Sequence, residues 1–280
     1  MNLVVADKFE VVRADGPDEP FNAGSVSKSV AAYTALRLVE SGALDLDQDV
    51  NERLVSWRLP EGQGVTLRRL LTHTAGLGVP FFPGYEDGAE LPTLVQVLDG
   101  VRVETPPGEF RYSGAGYVLV QLLAEDVTGA PFAETARELV FEPLGMTSST
   151  FEQRAGAHRY AEQAAAGLWT TAADLARFVE AVQRDGSAMT TPAIDLPAEG
   201  EWNELAELGI APPRRFGLGL FLQDGWFGHI GGAANFFSVF YGSTDDGRAI
   251  VAWVPGGATP ELFLSVLATA DERGWKGLRA

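Results

Sequence analysis

Residues 25–40 constrain the chain more than any other stretch. Val26, Val30, Ala31, Ala32, Tyr33, Ala35, Leu36, Leu38 and Val39 place apolar groups on almost every side of a predicted helix, and Gly42 follows as a left-handed stop. A helix that is apolar all round has to lie at the centre of a domain, covered from several directions. Yet this one opens with Ser25-Val26-Ser27-Lys28. Ser25 and Lys28 are three residues apart, so they share one face, one turn from each other.

That pairing suits nucleophilic catalysis. A serine hydroxyl attacks a carbonyl poorly until a neighbouring base takes its proton. An amine in an apolar helix, close to the positive helix N-terminus, is pushed toward its neutral form, the form a base must have. Lys8, Lys28 and Lys276 are the only lysines, although arginine is plentiful. A lone S-x-x-K remains a weak pattern, because Ser25 capping the helix and Lys28 reaching solvent also explain it.

Composition narrows the partners. A net charge of −17 disfavours nucleic acid and anionic membranes. With no cysteine, disulfides, thiolate metal sites and cysteine nucleophiles are excluded. The start, Met1-Asn2-Leu3-Val4, lacks a basic segment followed by a long apolar run, and no stretch approaches a membrane span, so a cytoplasmic protein is expected. Asp45, Asp47 and Asp49 open like a calcium loop, but Val50 stands where glycine is needed and Ser56 where a bidentate glutamate is needed. That stretch reads as a solvated turn, and neither metal nor cofactor is called for.

Period-two runs predict strands at 3–6, 9–13, 216–222, 226–230, 235–241 and 248–254. Helical spacing predicts helices at 66–72, 91–98, 113–127, 132–140, 171–184 and 260–271. Strands at both ends and helices between them give an α/β (α+β) fold, with an antiparallel sheet flanked by helices and an inserted, mostly helical lobe. The expected organisation is a single catalytic unit over 1–280. Its sheet sub-domain is drawn from about 1–55 plus 212–280, and its helical lobe covers about 56–186. Residues 187–211 read as an irregular flap or linker, with one short helix at 202–208. Phe81, Phe82 and Tyr85, in a Pro/Gly-rich loop, either line a pocket or tuck against the core.

Two further stretches carry groups able to meet Ser25. Tyr112-Ser113-Gly114 opens a helix directly after the Pro106-Pro107-Gly108 break, and His229-Ile230-Gly231-Gly232 ends a late strand in glycines. Bare backbone N–H groups on such a strand can approach a substrate carbonyl. Singly, Tyr112 also reads as a buried aromatic, His229 as a hydrogen-bonded strand residue and the glycines as a bend.

Their order resembles the serine β-lactamase and penicillin-binding-protein superfamily, in which S-x-x-K, Y-S-x and H-x-G mark three active-site elements. The surrounding text is similar to the class C β-lactamase and family VIII carboxylesterase branch. It includes Leu70-Leu71-Thr72-His73-Thr74-Ala75-Gly76-Leu77, Pro106-Pro107-Gly108 with Tyr112-Ser113, Pro143-Leu144-Gly145-Met146 and Gly167-Leu168-Trp169-Thr170-Thr171. The likeness runs from Ala23 to about Pro255. It implies the β-lactamase/transpeptidase-like fold and an acyl-enzyme on Ser25, with Lys28 and Tyr112 sharing proton transfer. The oxyanion is then held by the backbone N–H groups of Ser25 and Gly232. Ser113, Gly114, His229 and Gly231 are expected along the substrate, His229 binding a carboxylate only when protonated. His73 reads as structural.

Departures from the family pattern bear on substrate. Gly114 stands where many members have asparagine, His229 where lysine is common, and Ile230 where a hydroxyl is common. The chain opens without the family's usual first helix, and the helical lobe is trimmed. A small ester or amide is therefore a better expected substrate than a β-lactam or a cell-wall peptide. Acyl transfer to an amine or alcohol acceptor is the alternative, and a non-catalytic binding protein a further one. The oligomeric state is not legible.

Overall fold

The computed structural model describes residues 1–197, 204–257 and 260–280. Its strands are β1 (Asn2–Asp7), β2 (Glu10–Asp15), β3 (Phe21–Asn22), β4 (Trp169–Thr170), β5 (Ile194–Asp195), β6 (Arg215–Phe216), β7 (Phe221–Gln223), β8 (Trp226–Ala233), β9 (Phe236–Ser243) and β10 (Ala249–Pro255). The main sheet runs β2-β1-β10-β9-β8-β7-β6-β5 with antiparallel pairing, so both ends of the chain share it. Helices α1 (Ser27–Glu40), α2 (Leu67–Leu71), α3 (Leu94–Val97), α4 (Gly114–Thr128), α5 (Phe132–Ala136), α6 (Gln163–Ala166), α7 (Ala172–Asp185), α8 (Ser187–Thr190), α9 (Glu204–Glu207) and α10 (Pro260–Glu272) complete it.

Alternation along the strands assigns the two sheet faces. Leu3, Val5, Val239, Ile250 and Ala252 pack toward Leu262, Val266 and Leu267 of α10. Val4, Phe240, Val251 and Trp253 face the larger core that encloses α1, α4 and α7. Eleven of the fourteen residues of α1 are buried, as a helix apolar on all sides requires. Short polar residues cap the helices around it. Ser113 accepts the Gly116 N–H at 3.2 Å, Thr171 accepts the Asp174 N–H at 3.2 Å, and Gly129 closes α4 at φ 70.

The structure differs from the sequence expectation in three places that bear on the site. The helix predicted from residue 25 begins as a single 3₁₀ turn, Gly24–Val26, with α1 proper starting at Ser27. The strand predicted over 216–222 is two strands, because Gly219 turns the chain at φ +82. That turn plugs onto α1: the Ser29 hydroxyl donates to Gly219 O at 2.8 Å, and the Gly219 N–H to Leu71 O at 3.1 Å. Within 187–211, α8, β5 and α9 replace part of the expected irregular segment, while 198–203, including the start of the helix predicted at 202–208, lie outside the described residues.

A small second sheet, β3 with β4, was not legible. It pairs Asn22 with Trp169, and so ties the chain entering the Ser25 turn to the chain leaving α6. Asp47 of the acidic turn holds the Arg68 guanidinium through two bonds of 2.7 Å. Among the described residues no helix is long and apolar enough to cross a membrane.

Candidate active site

Ser25 sits in the 3₁₀ turn, and that turn lies flush against β8. Gly24 adopts φ +52, and a Cβ there would come 2.3 Å from Gly232 O. A Cβ at Gly231 would come 1.9 Å from Ala23 O. Only glycines allow so close a backbone approach. Three hydrogen bonds fix the turn: Ala23 N–H to Leu168 O at 2.8 Å, Gly24 N–H to the Asn22 side chain at 2.9 Å, and the Ser238 hydroxyl to Ala23 O at 3.1 Å. Ser25 and Gly232 thereby line one cavity.

Lys28, one turn along, is 2% exposed. Its Nζ lies 3.0 Å from Ser25 Oγ and donates to Ala165 O at 2.7 Å. Burial pushes the amine down to about 7 from the ordinary lysine value. Near neutral pH a large fraction is then uncharged. One N–H remains on the Ala165 carbonyl, and the nitrogen lone pair is available to the serine proton.

Tyr112 lines the same cavity, its ring centroid 5.1 Å from Lys28 Nζ. His73 brackets it. The His73 carbonyl accepts the Arg111 N–H at 2.8 Å, and His73 Nδ1 accepts the Ser113 N–H at 3.0 Å. The imidazole stacks on the Tyr112 ring at 4.3 Å, tilted by 31°. Because Nδ1 accepts, the ring proton is assigned to Nε2, which has no hydrogen-bond partner and lies among Phe110, Tyr117 and Phe216. Burial, with Lys28 and His229 near, holds His73 well below the usual histidine range. These contacts tie His73 to the loop presenting Tyr112.

His229 also lines the cavity, facing Phe221 at 5.2 Å and Tyr112 at 6.4 Å between ring centroids. Its Nδ1 lies 2.7 Å from Ile230 O, which can only accept, so Nδ1 carries the hydrogen. Burial first, then the Lys28 charge, push it down to about 3. Burial therefore keeps the ring neutral near neutral pH, and the carboxylate contact expected of a protonated His229 would need a much lower pH.

Ser113 and Gly114, expected along the substrate, are not among the cavity-lining residues. The Ser113 hydroxyl donates to Gly78 O at 2.8 Å while capping α4. A Cβ at Gly114 would meet Pro80 O at 2.9 Å and the Phe82 ring at 3.0 Å, so a side chain such as the family's asparagine would force the Pro80 loop to shift. Gly231 faces Ala23, leaving Gly232 as the one of that pair at the cavity. Phe81 does line the cavity, 5.8 Å from the Tyr112 ring, while Phe82 tucks against Gly114.

Sequence reasoning passed over two contributors. Ala165 acts through a backbone carbonyl, which no side chain announces. Gly24 stood in plain view before Ser25, and a glycine immediately before a candidate nucleophile was the available signal. Among the described residues no group of three or more His, Asp or Glu could hold a metal ion.

The Beta-lactamase family model matches residues 3–271. Over 166 residues the chain is 34% identical to esterase EstB of Burkholderia gladioli, a match covering 52% of this chain and 42% of EstB. Over 160 residues it is 31% identical to monacolin J acid methylbutanoyltransferase of Aspergillus terreus, covering 48% of this chain and 38% of that enzyme. Both relatives are thus matched over less than half of their own length. Among solved structures, D-amino acid amidase from Ochrobactrum anthropi SV3 superposes with a TM-score of 0.78 at 20% identity, covering 98% of this chain and 93% of that one. At that identity the likeness shows the fold, the β-lactamase/transpeptidase-like arrangement of an antiparallel sheet and helices.

Proposed function

The chain belongs to the β-lactamase family, and we propose that it is a serine hydrolase that cleaves a small ester or amide through an acyl-Ser25 intermediate. The observation that carries this reading is a buried amine, brought down to about 7, at 3.0 Å from a cavity-lining serine hydroxyl. Ser25 Oγ attacks the carbonyl carbon while its proton passes to Lys28 Nζ. The oxyanion is held by the backbone N–H groups of Ser25 and Gly232; losing one such donor typically costs about 100-fold or more in rate. When the carbon–oxygen or carbon–nitrogen bond breaks, that proton moves through Lys28 and Tyr112 to the leaving atom, and the alcohol or amine departs. Water then attacks the acyl-enzyme, surrenders a proton by the same route reversed, and releases the acid with Ser25 restored.

Gly114 and His229 argue against β-lactams and peptidyl carboxylates. The first cannot carry an amide-reading side chain, and the second is neutral, so a substrate carboxylate meets no cation there. Transfer of the acyl group to an alcohol or amine is the second reading. It is favoured by the similarity to an enzyme named as a methylbutanoyltransferase, and it needs only an acceptor in place of water.

Intact mass after treatment with a fluorophosphonate tests the common step. We expect one adduct on the wild type, none on Ser25→Ala, and labelling about 100-fold or more slower in Lys28→Ala. An unlabelled wild type would favour a non-catalytic binding protein on this fold. Comparing hydrolysis product with ester or amide product in the presence of added alkanols or amines separates hydrolase from transferase.

A further inference from the structure

The cavity over Ser25 does not end at the catalytic groups. β7 pairs with β8 only from Phe221↔Gly228 to Gln223↔Trp226, while β8 continues to Ala233. Beyond Phe221 the edge of β8 therefore has no partner among the described strands. The cavity, about 410 Å³, passes this edge and reaches the sheet face covered by α10. There Leu205, Leu208, Ile230, Phe237, Tyr241 and Phe263 line it, all members of or packed against the core on that side. No described residue lining any part of the cavity is an acid, an arginine or a lysine.

The chemistry of acyl transfer decides which part of a substrate enters. The leaving atom must lie beside the group that returns the serine proton to it, and Tyr112 lines this cavity together with Ser25. We infer that the cavity receives the leaving moiety, and that this moiety is an uncharged, apolar alcohol whose chain runs past the β8 edge toward Phe263. The inference rests on the acyl-Ser25 reading above and names its substrate class. The ester C–O bond breaks, the alkoxy oxygen takes the proton that Ser25 released, and an alkanol is left in an apolar channel. A terminal carboxylate there would be buried without a cation, a heavy desolvation cost, since His229 is neutral.

Acetate esters of ethanol, butanol, hexanol and octanol test this with the acyl group fixed and the leaving-group basicity nearly constant. We expect kcat/KM to rise about two- to fourfold for each added methylene up to hexyl, the range for burying one methylene. The acetate of 4-hydroxybutanoate, with a charged end, should fall at least tenfold below butyl acetate. Leu208→Trp, which fills the far half, should reduce the octyl-to-ethyl ratio about fivefold or more. Leu264→Ala, on the exposed side of α10, should leave that ratio where it was. Independently of turnover, 1-hexanol should slow fluorophosphonate labelling of Ser25 at concentrations where ethanol does not. Equal rates along the series, a preference for the carboxylate ester, or labelling indifferent to hexanol would overturn the inference while leaving the serine-hydrolase reading intact. Absence of both labelling and turnover would overturn that reading, and this inference with it.

Discussion

At the scale of single residues, the chain commits an amine to a place where its charge is unwelcome. Lys28 is enclosed, gives one N–H to Ala165 O, and is brought down to about 7 by burial. Two consequences have opposite visibility. In catalysis only the neutral amine can take the Ser25 proton, so kcat/KM should climb about tenfold per pH unit below about 7 and level off above it. A profile flat from pH 5 to 8 would remove Lys28 as the base. In folding, the unfolded chain binds a proton up to the ordinary lysine value near 10.4, the folded chain only up to about 7. Between those limits the unfolded state holds more protons, so stability rises with pH across that window. Lys28→Met deletes the slope. It should abolish acylation while raising stability at pH 7 by about 1–2 kcal/mol: the charge-burial cost removed exceeds the lost hydrogen bonds. The gain should shrink toward pH 10, as urea unfolding would read; identical slopes for both proteins would contradict the burial account.

At the scale of elements, the site is made where short turns meet long ones. The 3₁₀ turn carrying Ser25, the turn after α2 carrying His73 and the glycine run of β8 are each only a few residues long. The long elements were legible because their signal repeats: the apolar positions of α1 and the alternation in β8, β9 and β10 recur over many residues. The break at Gly219 was not, since residues 216–222 alternate as one strand would, and only the contact with Ser29 and Leu71 explains the bend. Nor could the burial of His229 be read, because it is supplied by residues distant in sequence. His73 shows the same limit: its motif was visible, its bracket around Tyr112 was not. Its φ of +57 sets up a clean comparison. Asn tolerates the left-handed region and can still accept the Ser113 N–H, whereas Ala can do neither. We expect His73→Asn to slow acylation about tenfold through loss of the stacked ring. His73→Ala should slow it further and lower stability by about 1–3 kcal/mol, through left-handed strain and an unpaired N–H. If both variants acylate at the wild-type rate, the ring does not position Tyr112.

At the scale of the whole molecule, α1 is where the parts are joined. It packs against the helices α4 and α6, the latter also held by the Lys28 bond to Ala165 O, and the Ser25 turn that leads into it lies against β8 of the sheet. The chain termini meet in the same sheet, since β1 pairs with β10, so the mostly helical stretch between them is inserted into a closed frame. An inserted stretch whose apolar faces lie largely against α1 cannot keep its core once that helix is lost, and α1 cannot stay ordered without both neighbours. We therefore propose that residues 1–280 form one cooperative catalytic unit and expect a single urea transition, with far-UV dichroism and tryptophan fluorescence coinciding. The probes sample different parts: Trp253 and Trp226 report the sheet and its α10 face, while Trp169 reports β4, beside the inserted helices. A substitution at the junction should move both together. Tyr33→Ala removes a ring packed edge-on to Phe178 at 5.7 Å and should cost about 3–5 kcal/mol, shifting one midpoint without splitting it. Two midpoints, in the wild type or the variant, would show that the sheet and the inserted helices hold themselves together separately, with Ser25 and Tyr112 brought into register only by docking.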